Sequence, residues 1–275
     1  MRTERPRPRP PALAVLAALC GLLAGTAMAA DEPAAKEASA EAAPKVGEDW
    51  QSWQPNTNVT DLASVQRGAR NFVSYCLGCH SLKYERWSRV GTDLAIPPEL
   101  LQKDLIPPGD KATQYILTSM PAEDAVTWFG KVPPDLTLML RARGRAYVYQ
   151  FLRTFYVDPT RQTGVNNLRL PTTAMPHVLS ELEGLKAAVF KPAAAAAGTE
   201  ASEAPPLDHF EQIAPGRLSA AEYDAFVKDT VNFLDYVSEP TQAARRSLGV
   251  WVVLFLLVFT WLAWLVKREY WKDVH

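Results

Sequence analysis

Two stretches of the chain are continuously apolar, and each lies near one end. Ala12 to Leu23 follows Arg2, Arg5, Arg7 and Arg9 and precedes the small-residue run Ala27-Met28-Ala29. A basic start, a short apolar centre and a small-residue exit predict a secretory signal peptide over residues 1–30, cut after Ala29 or Ala30. The apolar centre falls short of the ~20 residues that a membrane span requires. Ser247 to Val266 is different, with twenty consecutive residues lacking any charge. As a helix rising about 1.5 Å per residue it covers a bilayer core of about 30 Å, which predicts one transmembrane helix over 247–266 and contact with membrane lipid. Trp251, Trp261, Trp264, Tyr270 and Trp271 suit interfacial anchoring. Arg245 and Arg246 on one flank nearly balance Lys267, Arg268 and Lys272 on the other, so orientation is read from export. An exported chain with one stop-transfer span leaves residues 267–275 in the cytoplasm and the part ahead of the span on the other side of the membrane.

Between these stretches the periodicity is helical. Leu62, Val65, Ala69, Phe72 and Val73 share one face of a helix predicted over Asp61 to Tyr75, with Thr60 or Asp61 as its N-cap. Ser219 and Glu222 have capping-box spacing ahead of a stripe of Tyr223, Phe226, Val227, Thr230, Leu234 and Val237, which predicts an amphipathic helix stopped near Pro240. A third helical pattern fits Tyr147 to Tyr156. Prolines 97, 98, 107, 108, 133, 134 and 159 break the middle into short pieces and disfavour long strands. The predicted class is mostly α with long connections.

Two segments lack the apolar residues to form a core. Residues 31–49 are rich in Ala, Glu, Lys and Pro with no aromatic, which predicts a flexible arm. Residues 191–206 (KPAAAAAGTEASEAPP) read as a low-complexity insertion within a domain spanning 50–240. The formal net charge is −1, and removal of residues 1–30 leaves 25 basic against 29 acidic residues, or −4. That balance argues against nucleic acid as a partner.

Three cysteines are too few for a disulfide scaffold, and two of them lie in Cys76-Leu77-Gly78-Cys79-His80. C-x-x-C-H is the attachment pattern of c-type haem. Two thiols add to the haem vinyl groups as thioethers, and the adjacent histidine coordinates iron. A zinc half-site and a thioredoxin-like dithiol are the competing readings of the pair. The sixth iron position separates an electron carrier from a haem peroxidase with an open site. Met120, Met139, Met175 and His177 are all available, while His209 beside the insertion reads as a surface residue. Met175, 95 residues after His80, sits in an extended segment stopped by Pro176.

Further motifs accompany the haem pattern: Arg67-Gly68, Pro133-Pro134-Asp135-Leu136, Arg141-Ala142-Arg143-Gly144, Tyr147 to Pro159, Thr163-Gly164-Val165-Asn166, Ala174-Met175-Pro176 and Ser238-Glu239-Pro240. With these the chain, from about Trp50 onward, resembles the cytochrome c1 family of proteobacterial type, the haem subunits of cytochrome bc1 complexes. The resemblance implies a class I cytochrome c-like haem domain carrying one covalent haem c on Cys76 and Cys79. It implies His80 and Met175 as axial ligands, Pro133 and Pro134 packed at the haem, and Arg143 and Tyr147 directed at a propionate. Implied partners are cytochrome b, a Rieske iron-sulfur protein as electron donor and a soluble cytochrome c as acceptor. Such a subunit carries single electrons and is not catalytic as an isolated chain. A freestanding membrane-anchored cytochrome c shuttle is the alternative.

Overall fold

The structure is a computed structural model that describes residues 49–191 and 207–272. The signal peptide, almost all of the acidic arm and the insertion lie outside the described residues, as do the last three positions.

In chain order the elements are α1 (Leu62–Tyr75), β1 (Leu82–Arg86), α2 (Trp87–Asp93), α3 (Pro98–Leu100), β2 (Tyr115–Ile116), α4 (Ala122–Phe129), α5 (Met139–Arg143) and α6 (Arg145–Arg153). They continue with β3 (Phe155–Val157), β4 (Val165–Asn167), α7 (Ser180–Glu183), β5 (Gly184–Phe190), β6 (Leu207–Pro215), α8 (Ala220–Ser238) and α9 (Gln242–Tyr270). The strands form three antiparallel pairs, β1 with β2, β3 with β4 and β5 with β6. Helices carry the core.

The packing of α1 against α8 organises the domain. Asp61 caps α1, its carboxylate accepting from the Ser64 amide at 3.1 Å. Ser219 and Glu222 form the reciprocal capping box that starts α8. Each cap satisfies amides that have no partner inside the first turn. The apolar stripes then meet: Val65, Ala69 and Phe72 are buried with Val227, Val231 and Phe233, and the Phe72 and Phe233 rings lie 5.7 Å apart. Gly68 lets the helices approach this closely. A Cβ there would overlap the Asp229 carbonyl oxygen and stand 2.6 Å from the Phe233 Cβ.

One expectation changes, and one pairing was not foreseen. The third predicted helix begins earlier and ends earlier, at Arg153, because Phe155, Tyr156 and Val157 leave it to pair with Asn167, Asn166 and Val165. The region around the insertion is a hairpin, since β5 and β6 pair from Gly184↔Pro215 to Phe190↔Leu207. The unread feature is Lys186, which points inward at 8 % exposure while neighbouring Leu185 faces out, the reverse of the alternation that marks a half-buried strand.

The predicted apolar helix forms as α9. It is longer than the uncharged stretch, beginning at Gln242 and running through Lys267 and Arg268 to Tyr270. Among the described residues it is the one helix long and apolar enough to cross a membrane. Apart from Gln242 its residues are not buried against the domain, and Trp251 is 70 % exposed. A helix apolar all round and uncovered by protein is suited to lipid.

Candidate functional site

The haem-attachment pattern is a helical turn added to the end of α1. The Cys76 amide donates to Phe72 O at 2.8 Å, and the Cys79 and His80 amides both donate to Cys76 O, at 3.0 and 2.8 Å. Both cysteines are free and partly exposed. Burial raises both thiols, Cys76 to about 12 with the neighbouring Cys79 contributing. A redox dithiol requires a depressed thiol, so this pair is poorly suited to disulfide exchange.

His80 is buried, and its Nδ1 lies 2.7 Å from the Pro134 carbonyl oxygen. A carbonyl only accepts, so Nδ1 carries the proton and Nε2 keeps its lone pair. Metal-binding histidines are oriented by this kind of second contact. Burial lowers the His80 pKa, opposed by the Pro134 bond and the charge of Asp135, and so favours the neutral ring that a metal requires. The segment Pro133-Pro134-Asp135-Leu136 is itself fastened beside the motif. Leu136 donates to Ser81 O at 3.0 Å, and Asp135 accepts from the Lys83 amide at 2.8 Å and the Thr137 amide at 3.0 Å. Pro133 is half-buried and Pro134 exposed, so the contribution visible here is the Pro134 carbonyl.

The candidate sixth ligands occupy different places. Met120 is tied by its backbone to the attachment turn: its amide donates to Thr118 Oγ1 at 3.2 Å, and that hydroxyl donates to Gly78 O at 2.9 Å. Met139 opens α5 and packs against the hydrophobic core. His177 is buried with its ring parallel to Phe155, centroids 4.9 Å apart, and its Nε2 lies 3.0 Å from Glu183 Oε2, off the line of an ideal hydrogen bond. His209 lies in β6 with Nδ1 2.8 Å from Asp208. Met175 is half-buried, and the chain bends there where its position before Pro176 predicts an extended segment.

That segment is built by asparagines. Asn166 Oδ1 accepts from the amides of Asn167 and Thr172, both at 2.9 Å. Asn167 Oδ1 accepts from the Arg169 and Leu170 amides at 2.8 and 3.1 Å, and its Nδ2 donates to Phe151 O at 2.7 Å. Thr172 then turns through a positive φ of 63°, and Thr173 Oγ1 accepts from the Met175 amide at 3.3 Å. The Thr163 to Asn166 motif thus folds the chain back on itself ahead of Met175.

Arg143 and Tyr147 meet across Gly144, whose φ of 88° breaks α5 from α6. The Arg143 guanidinium lies 5.5 Å from the Tyr147 ring centroid, and Arg169 lies over the same ring at 4.7 Å. Among the described residues neither arginine forms an ion pair. Two cations sharing one ring make a site suited to an anion such as a carboxylate. Arg169 was not singled out by sequence, since a lone arginine in a loop carries no spacing signal.

Residues 108–274 match the model of the cytochrome C1 family. Over 220 residues the chain is 44 % identical to a cytochrome c1 of Allochromatium vinosum, covering 80 % of this chain and 88 % of that one. It is 41 % identical over 215 residues to a protein of Nitrosomonas europaea described as an ammonia monooxygenase gamma subunit, covering 78 % and 85 %. A mitochondrial cytochrome c1 haem protein of Schizosaccharomyces pombe is 26 % identical over 236 residues, with 78 % and 68 % covered.

Proposed function

The chain belongs to the cytochrome c1 family, and from that premise we propose that His80 and Met175 are the axial ligands of its haem, within a quinol-cytochrome c reductase. Family membership carries a covalently attached haem c, and Cys76 and Cys79 fit the attachment motif. It also carries membrane-anchored electron transfer in a respiratory chain. Bound haem supplies one reversible electron, and the polypeptide sets its ligands, surroundings and access.

The observation that carries the reading is the 2.7 Å contact from His80 Nδ1 to the Pro134 carbonyl, which leaves Nε2 free to bind a metal. Met175 is the remaining partner of choice. Met120 is tied by its backbone to the attachment turn, Met139 has a packing role, and His177 lies against Phe155 and Glu183. Arg143 and Tyr147, joined by Arg169, receive a haem propionate, and Pro133 and Pro134 line the His80 side.

Complex III membership implies cytochrome b and a Rieske iron-sulfur protein as neighbours, with α9 in the membrane beside cytochrome b. Electrons enter from the Rieske protein and leave to a soluble cytochrome c. The haem domain faces the periplasm and the C-terminus the cytoplasm, as an exported chain with one span requires. Solubilisation in mild detergent should bring cytochrome b and the Rieske protein along with this chain, whereas a freestanding shuttle would purify alone.

Met175→Leu tests the ligand. Leucine keeps similar volume and should cost under about 1.5 kcal/mol in packing, but it removes the sulfur. The expected product is folded, lacks the iron-sulfur charge-transfer band, has a markedly lower potential and binds carbon monoxide. Leucine at Met120 or Met139 should leave all three properties near wild type. An unchanged band and potential at position 175 would transfer the assignment to Met120.

A further inference from the structure

On the C-terminal side of the Met175 segment lies a buried cluster of ionisable side chains that the proposed haem contacts do not include. His177, two residues beyond Met175, is 8 % exposed, with its ring stacked on Phe155 and its Nε2 3.0 Å from Glu183 Oε2, a close approach off the line of a hydrogen bond. Glu183 pairs through its other oxygen with Lys186, whose ammonium donates to Arg153 O at 2.7 Å and lies 4.4 Å from the Phe210 ring centroid. Arg153 continues the network to α8 through Asp224 at 2.7 Å. The chain of contacts therefore runs from the Met175 segment through α7, β5 and the end of α6 to α8.

A buried Glu–Lys pair is a poor source of stability, because desolvating two charges offsets most of their attraction and an apolar pair of like volume often serves as well. Its placement here has another consequence. A methionine thioether is a neutral ligand on a flexible side chain, and a ligand carried by a loop needs a rigid support to stay in register. Pro176 is the single residue between Met175 and His177, and its ring restricts φ. Position 177 thus controls position 175 over a short, stiff connection.

We propose that Glu183 is a positioning residue for the haem's sixth ligand, acting through His177 to hold the Met175 segment against the stack on Phe155. The role rests on Met175 being the ligand. Lys186 in turn holds the Glu183 carboxylate in place, and the Asn166 and Asn167 bonds secure the other end of the segment.

The test uses the full-length haem protein in detergent and follows the iron-sulfur charge-transfer band and carbon monoxide combination with the ferrous form. His177→Phe keeps an aromatic ring for the Phe155 stack and deletes the nitrogen facing Glu183. Glu183→Gln keeps the shape and deletes the charge. Glu183→Gln combined with Lys186→Met removes both charges and supplies a folded sample if an unpaired Lys186 prevents folding. Each folded variant should combine with carbon monoxide at least tenfold faster than wild type, with a weakened band and the haem still covalently bound. A merely structural cluster would lower the melting temperature and leave ligand replacement unchanged. Met175→Leu is the reference. If it loses the band while folded His177→Phe and Glu183 variants keep the wild-type combination rate, the positioning role is wrong and the ligand assignment stands. If Met175→Leu keeps its band, the ligand assignment is wrong and the positioning role falls with it.

Discussion

The two sides of the proposed haem site are constructed differently. On the His80 side the attachment cysteines and the histidine are adjacent on one turn, made by the helix that ends there, and the amides of Cys76, Cys79 and His80 close it locally. On the Met175 side a short bent segment is held by Asn166, Asn167 and Thr173, with His177 and Glu183 close behind it, drawn from β4, the loop after it and α7. One side is specified by contiguous residues; the other exists only once the chain has folded. A local motif can present thiols and an imidazole in an unfolded or partly folded chain, which suits covalent attachment. The thioether contact depends on tertiary structure and is the part expected to loosen first.

The largest test of this contrast strikes beneath the His80 side. Gly68→Ala would gain up to about 1 kcal/mol in helix propensity. The new Cβ meets the Asp229 carbonyl and the Phe233 Cβ, neither of which can rotate away. Overpacking against backbone should dominate, with a net loss of about 3 kcal/mol. Thermal unfolding of the holoprotein should show a lower midpoint, with a normal charge-transfer band below the transition. A variant as stable as wild type would mean that α1 and α8 do not need this close approach.

A smaller effect on stability, with a sharper spectral signature, is expected from Asn167→Ala. Asn167 is fully buried, and its side chain satisfies the amides of Arg169 and Leu170 and the carbonyl of Phe151. Removing one partner from buried polar groups costs about 2 kcal/mol. Here the loss falls on the segment leading to Met175, so the band should weaken well below the global melting temperature, in contrast to Gly68→Ala. Bands that persist to the same fraction of the unfolding curve in both variants would erase the difference between the two sides.

The same contrast explains what was legible in the sequence. The attachment motif, the Asp61 cap, the Ser219 and Glu222 box and the apolar run of α9 are contiguous or periodic patterns, and each appears where its pattern placed it. The Met175 side was proposed through resemblance, because Asn166 and Asn167 act through bonds to loop amides that have no sequence period. Lys186 hid β5 for a related reason: a buried lysine paired with Glu183 and lying over Phe210 reverses the pattern by which a strand is recognised. Arg169 joins Arg143 at Tyr147 only after the Asn167 turn brings it there. His80 Nδ1 found its acceptor in Pro134, 54 residues away, where a sequence offers a motif but no distance.

The smallest effect should come from removing what neither side of the site uses. Gln242 is the buried residue of α9, and the rest of that helix is uncovered by the domain. Its principal tie is at the boundary, where Arg245 lies 2.6 Å from Glu239, a carboxylate that Arg141 also approaches at 3.6 Å. Arg245 is largely exposed, and a solvated ion pair of that kind contributes little. Ending the chain after Pro240 removes the apolar helix and this tie, while Cys76, Cys79, His80, Met175, the α1 and α8 core and the Glu183 cluster all remain. The truncated protein should therefore appear in the soluble periplasmic fraction with covalent haem and a charge-transfer band indistinguishable from that of the full chain. A truncated protein that is soluble but lacks the band would show that membrane anchoring supports the Met175 side after all. One that stays in the membrane after signal cleavage would show that α9 is not the sole anchor.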